Sequence, residues 1–441
     1  MISIDNLKMT SIPYSLIIQT DSGANLFSQS GGMPPFTLQS FALLQAFSQT
    51  AQENLSSTPQ LYGLGNPLVL TTKSALLSFT TLTFEGDNQL MIFLATKNLH
   101  SMTSERAIQW LQRVLYHVRN MLIMMIGVKE MEGDIGRGQL EGMRKKLKQE
   151  FGGWVAGMFK VDNENGALSM ESVHSMEKVE YVKDIGLKAI ASKVQQQFGI
   201  QHIAMKDSQG RYMYASKQWM SIHEADRYLL TQISQLTQAS SGQANDMPVY
   251  LTHTALNDDF LSIGLARYRF ISVVLKSGHR LEVIADHTLK AEEFFQYISA
   301  NETALVAKED QKSILDQDFV SQPIKEALKV KLLHFMLLDH HNHLSHTFPS
   351  KHSLLASQLL LKLPIPKEST IQVQYITVEL STDQIVQLYR LKEANLEMLV
   401  VLEGNVLSGI QSVLNQLFKV VVGEMYQGLG ESDQLPHNLL L

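Results

Sequence analysis

The chain of 441 residues contains no cysteine. Disulfides, thiolate metal sites and a cysteine nucleophile are therefore excluded. An excess of positive charge is missing too, since 37 basic and 43 acidic side chains leave a net charge of −6. Nucleic-acid binders usually show a basic stripe, so no nucleic-acid partner is expected. Long apolar runs are also absent. The most apolar helix-like run, MLIMMIGV (121–128), is far shorter than the ~20 residues a membrane span needs. The opening MISIDNLKMTSIPYSLIIQTD has no basic segment leading into a long apolar one, so no secretory leader is expected in it. These absences point to a soluble protein; nothing asks for an oxidising compartment, and a cytoplasmic location is expected.

What is present is ordinary globular material, 44% hydrophobic and 18% charged. At ~100–200 residues per domain, two to four domains are expected. Two polar stretches, KVDNENGALSMESVHSMEK (160–178) and SANETALVAKEDQKSILDQD (299–318), read as linkers. They predict domains over 10–160, 178–300 and 319–430.

In the first, YSLIIQT (14–20) and NLFSQS flank a DSG turn, and GGMPP breaks the chain before a helix from about Phe36 to Leu55. Strand-like runs follow in GNPLVLTT, SALLSFTTLTF and NQLMIFLAT. Leu111, Leu115, Val118, Leu122 and Met125 then form the stripe of a helix over 104–126, with Gly127 as its left-handed cap. GDIGRG (133–138) reads as a flexible connection to a basic helix, GQLEGMRKKLKQEF.

The second segment has the same ingredients in shifted order. Helices are predicted at 184–198, 223–238 and 290–298, and a hairpin at 200–217. MPVYLTH, FLSIGLARYRF and ISVVLKSG supply three further strands. In the third segment PIKEALKVKLLHFMLLDHH (323–341) reads as a helix, LEMLVVLEG as a strand and 406–425 as a helix, while 365–395 shows no pattern. The fold class is α/β, with antiparallel sheets layered between helices.

Several constellations bear on function. At about 100° per residue, Phe36, Leu43, Leu44, Phe47 and Ala51 share one third of their helix, and Leu38 and Phe41 lie almost opposite. A second apolar stripe needs a second burial partner. Either other parts of the chain cover Leu38 and Phe41, or the two form part of an inter-subunit contact. Arg144, Lys145, Lys146 and Lys148 make a basic helix face, which is more often solvated than bound to lipid headgroups. HHNHLSH (340–346) contains four histidines, and His343 and His346 are spaced to ligate from a helix. Asp339 is the only adjacent acid, so solvated loop or helix-end histidines are the better reading and no metal is expected. HEADR (223–227) is half a zinc-protease motif with Arg227 where the second histidine belongs. GDIGRG lacks the Lys-Ser/Thr of a phosphate loop. No acid–base pair stands out, and no cofactor is expected.

Four phrases carry a resemblance. They are SGANLFSQS (22–30), LQRVLYHVRNMLIMMIGVKEMEGDIGRGQLEGMRKKLKQEF (111–151), DMPVYLTHT with FLSIGLARYRFISVVLKSG (246–254 and 260–278), and more loosely SKQWMSIHEADRYLL (216–230). With the order of elements, they resemble the Fuzzy/Mon/Hermansky–Pudlak family of triple-longin Rab exchange-factor subunits. The resemblance implies three tandem longin-like domains, each an antiparallel sheet with helices on both faces. It implies a subunit without covalent catalysis that pairs with an Inturned-type triple-longin protein and acts on a Rab-family small GTPase. A Fritz-type propeller protein, peripheral membrane contact and a location at the ciliary base or cytoskeleton are implied with it. A Mon-type trafficking scaffold without exchange activity of its own remains open.

Overall fold

The structure is a computed structural model. It describes residues 12–35, 68–71, 75–84, 88–97, 104–159, 177–178, 185–208, 210–236, 244–256, 263–275, 278–305, 317–339, 344–348, 372–381, 384–393, 396–404 and 409–429. The chain divides into two compact units. One comprises Met9–Ser172 with Val249–Ala266, the other Met1–Lys8, Val173–Pro248 and Arg267–Leu441.

In the unit that holds Met9–Ser172, β1 (Tyr14–Thr20) and β2 (Asn25–Gly31) form a hairpin. Its turn needs Gly23 at φ 83°, where a side chain would be strained. The Ala24 amide donates to Thr20 Oγ1 at 3.0 Å. β3 (Leu68–Thr71), β4 (Ala75–Thr83) and β5 (Gln89–Lys97) complete an antiparallel sheet in the order β2-β1-β5-β4-β3. β1 is buried at all seven positions, because it lies inside the sheet and both its faces are covered.

Helix α1 (Ser104–Ile126) packs against β3, β4 and β5. Gly127 does not end the helical stretch. Its φ of 88° is positive, but its ψ of 145° is extended rather than left-handed, and α2 (Val128–Gly136) starts at the next residue. GDIGRG is therefore mostly helix, closed by the turn at Arg137 and Gly138. Asp134 and Arg137 pair one turn apart at 3.1 Å, which supports helix over loop there. The basic helix is longer than expected. It runs as α3 (Leu140–Lys146), a π-helical turn (Leu147–Phe151) and α4 (Gly152–Met158). The wider turn sets Phe151 edge-on to Phe27 of β2, with ring centroids 5.3 Å apart.

The other unit begins with β6 (Glu177–Lys178) and α5 (Ile185–Phe198). β7 (His202–Lys206), β8 (Tyr212–Ala215), α6 (Lys217–Met220), α7 (Glu224–Leu236), β9 (Ala244–Val249), β10 (Tyr268–Val274), β11 (Arg280–Ala285) and α8 (Ala291–Leu305) follow. The sheet order is β8-β7-β11-β10-β9. One face sets Ile203, Met205, Ile271, Val273, Leu281 and Val283 against α5 and α8, through Val194, Phe294 and Ile298. On the opposite face Lys206 reaches Thr231 of α7. The strands expected at 260–270 and 271–278 are in fact one strand, β10, preceded by a turn. Gly264 sits at φ 68° in that turn, a conformation strands exclude. RLEVIA, which had no predicted state, is the central strand β11.

The last elements are α9 (Gln317–Leu328), β12 (Lys331–Asp339), β13 (Leu344–Phe348), β14 (Gln372–Ser381), β15 (Gln384–Glu393), β16 (Leu396–Glu403) and α10 (Ile410–Leu429). The helix expected over 323–341 stops at Leu328. Lys329 has φ 54°, which ends it, and KLLHFMLLD becomes a strand buried between β13 and β16. A short apolar run fits either state, and here its neighbours decide. The patternless stretch 365–395 supplies β14 and β15.

The sheet order is β14-β15-β16-β12-β13-β6. Setting aside β6, which adds in parallel to β13, the five strands counted along the chain lie in the order 2-1-5-4-3. The other two sheets have the same order. The chain is thus an α/β protein with one antiparallel, longin-like topology used three times. The second segment's elements are not shifted: α5 precedes a repeat of the common order.

Candidate functional site

The sequence-derived site residues fall in different places. Leu38 and Phe41 lie outside the described residues, as do His340, His341 and His343. His346 lies on β13, 2% exposed, rather than in a solvated loop or on a helix end. Among the described residues no helix is long and apolar enough to cross a membrane. The basic face divides. Lys145 and Lys148 are exposed. Arg144 Nε donates to the Asn25 carbonyl of β2 at 3.0 Å, and Lys146 Nζ donates to the Met125 carbonyl at 2.6 Å. Two of the four cations therefore hold backbone, one against the strand edge and one at the end of α1.

The Lys146 bond leads to the most organised polar site of its unit. A continuous helix through residue 127 would have the Val128 amide donate to the Met124 carbonyl. The conformation of Gly127 separates those two groups, and the backbone of Tyr250 and of Gly264 bonds to them instead. Tyr250 N–H donates to the Met124 carbonyl at 3.0 Å, and the Gly264 carbonyl accepts from Val128 N–H at 3.3 Å. One hydrogen bond is replaced by two, and neither the Met124 carbonyl nor the Val128 amide is orphaned. The segment is closed on itself by Gly264 N–H donating to the Leu251 carbonyl at 2.6 Å.

Side chains complete this strap. Val249, Tyr250 and Leu251 are buried. The Tyr250 hydroxyl donates to Glu130 in the first turn of α2. A Cβ on Gly127 would lie 2.6 Å from Tyr250 Cζ, so glycine is required by contact as well as by backbone angle. His253 is hydrogen-bonded to the Tyr116 hydroxyl of α1 and, at 2.6 Å, to Thr252 Oγ1. Arg119 lies over the Tyr116 ring, 5.0 Å from its centroid. His117, Arg119 and Asn120 are all buried on the same helix. Burial, with Arg113 and His253 nearby, pushes the His117 imidazole down to about 3, so it is neutral at ordinary pH. Burial likewise lowers Arg119 to about 10. The chemistry of this site is that of a clasp. The Met124 carbonyl and the Val128 amide are each matched across it, and a neutral histidine sits inside.

The other unit buries a different polar cluster. Lys206 and Glu282, on adjacent strands β7 and β11, are 2.7 Å apart and fully buried. Lys206 Nζ donates to Thr231 Oγ1 at 2.7 Å and lies 4.3 Å from the Tyr212 ring centroid. Trp219 Nε1 donates to the Tyr212 hydroxyl at 3.0 Å. Arg227, the residue that breaks the HEADR motif, donates to the carbonyls of Met220 and Ile222 at 2.7 and 2.9 Å. It ties α6 to α7. The third sheet has its own buried pair, Arg390 and Glu397, 2.6 Å apart.

Neither cluster was foreseen. By sequence the strap residues read as strand, because PVYL is apolar and precedes apolar runs. The charges of Lys206 and Glu282 were legible as interruptions of alternating apolar strands, HIAMK and RLEVIA, and that was the available signal.

No family model and no curated protein matches the chain. Among solved structures it is similar to one titled as an RNA-binding light-oxygen-voltage receptor, at 11% identity, covering 65% of this chain and 99% of that one, with a TM-score of 0.13. A likeness at that score carries no argument about fold or function.

Proposed function

We propose that the chain is a Fuzzy-type subunit of a heterodimeric triple-longin exchange factor. It acts with an Inturned-type partner on a Rab-family GTPase, in an assembly with a Fritz-type propeller protein that serves ciliogenesis and planar polarity. The observation that supports this reading is the threefold use of one strand order, 2-1-5-4-3, in a single chain. The family resembled is defined by three such domains.

Exchange of this kind requires binding rather than side-chain chemistry. A partner that binds the nucleotide-free GTPase more tightly must weaken nucleotide binding by the same factor. It does so by holding the switch loops, which are order–disorder elements. Displacing nucleotide by four decades requires ~5.5 kcal/mol of differential binding. Contact with the partner subunit is assigned to the apolar stripe with Leu38 and Phe41. Lys145 and Lys148 are the cations of the basic face left for an anionic membrane.

The test is co-purification with an Inturned-type protein, followed by GDP release from Rab GTPases. A one-to-one complex that accelerates release, and that the double substitution Leu38→Asp/Phe41→Asp dissolves without unfolding the chain, is the expected result. A complex without exchange activity would favour a Mon-like trafficking scaffold. A chain that ignores such partners would remove the proposal.

A further inference from the structure

Each sheet edge is an invitation to another strand unless it is shortened, bent, charged or covered. Among the described residues, five of the six edges are blunted in one of these ways. β2 is met by α3, whose Arg144 takes the Asn25 carbonyl. β3 has four residues, and β8 has four with an irregular register against β7. β9 carries Pro248 and an Asp246 ion-paired to Arg269. β6 is two residues long and both are charged.

β14 is different. It is ten residues long, QVQYITVELS, with one charge and no proline or glycine. Among the described residues β15 is its one neighbour in the sheet. Tyr375 is 66% exposed although its ring stacks on Tyr389, and Thr377, two residues on and so on the same face, is exposed as well.

We propose that this edge pairs with the same edge of a second copy of the chain, antiparallel, about a two-fold axis. Such an axis sets one residue opposite itself, and for Gln372–Ser381 the central choice is Ile376. Tyr375 of each copy then falls opposite Thr377 of the other, so the two exposed side chains cover each other. Glu379 falls opposite Val373, and no like charges meet. The self-pairing uses up both open edges at once and joins two six-stranded sheets without leaving a template for further growth. A short peptide on the same edge would leave its own far side open.

The test is mass by light scattering across a concentration series, with the full chain. The wild type is expected to dimerise. Tyr375→Lys/Thr377→Lys sets lysine opposite lysine twice and weakens the dimer about tenfold or more. Tyr375→Glu/Thr377→Lys sets glutamate opposite lysine at the same positions and restores it. Because the chain has no cysteine, the single variants Tyr375→Cys and Thr377→Cys can be mixed and oxidised cleanly. The mixture is expected to cross-link more than either variant alone. A monomeric wild type, a dimer indifferent to the lysines, a loss that the glutamate–lysine pair does not restore, or no excess cross-linking in the mixture overturns the proposal.

Discussion

The sheets β1–β5 and β7–β11, one from each unit, share a strand order and differ in where they bury polarity. Around the first, the charged and imidazole groups sit on helix α1, as His117 and Arg119, beside the Tyr116 that is hydrogen-bonded to His253 of the strap. In the second they sit on the strands themselves, as Lys206 and Glu282. Strand order is thus conserved across the repeats while the core chemistry is not. A topology constrains which strands touch, and it leaves open whether a given contact is made by methyl groups, hydroxyls or charges. Each solution also fails differently. The strap depends on a backbone conformation that only glycine adopts easily, and the strand cluster depends on two opposite charges being present together.

That contrast can be broken from either side. The largest effect is expected for Lys206→Met, which takes from Glu282 its ion-pair partner in the interior at a cost of about 3–5 kcal/mol. Hydrogen exchange should accelerate in β7 and β11 and stay unchanged in β1 and β5; equal acceleration in both would mean that the sheets do not fail independently. Gly127→Ala reverses the pattern. Strain at its φ of 88° and the clash with Tyr250 should cost about 2–4 kcal/mol, with protection lost first in α1, α2 and around Tyr250 and Gly264.

The smallest effect is a pH dependence. His117 has a folded pKa below its unfolded one, so its contribution is complete above about 6.5 and is lost as pH falls toward about 3. At pH 5 the loss is about 2 kcal/mol, and His117→Gln should remove it from the urea midpoint measured against pH. A slope that survives the substitution would assign the acid sensitivity to other groups.

Much of the fold was readable because its signals are local. YSLIIQT and NLFSQS around DSG gave the first hairpin, and the stripe Leu111 to Met125 gave α1 to its last residue. The failures have one physical cause. KLLHFMLLD is apolar without a period, so its strand state is set by β13 and β16 rather than by itself. Gly127 announced an interruption correctly, but whether a helix stops or merely splits depends on what arrives from residues 250 and 264. The clasp was invisible for the same reason, since no spacing in a linear sequence connects Met124 to Tyr250. The ion pair Lys206–Glu282 was half visible, as charges set in apolar strands without an indication of the partner.

The strap also sets a timetable. A ribosome that has finished residue 159 has delivered every sheet strand and helix described for that unit, but the groups at Met124 and Val128 must wait for Tyr250 and Gly264. Roughly a hundred residues separate these events, which at ~5–20 residues per second is a delay on the order of ten seconds. During that interval the nascent unit carries an unsealed break in its longest described helix, with the apolar surface that Val249, Tyr250 and Leu251 will later cover still open to chaperones.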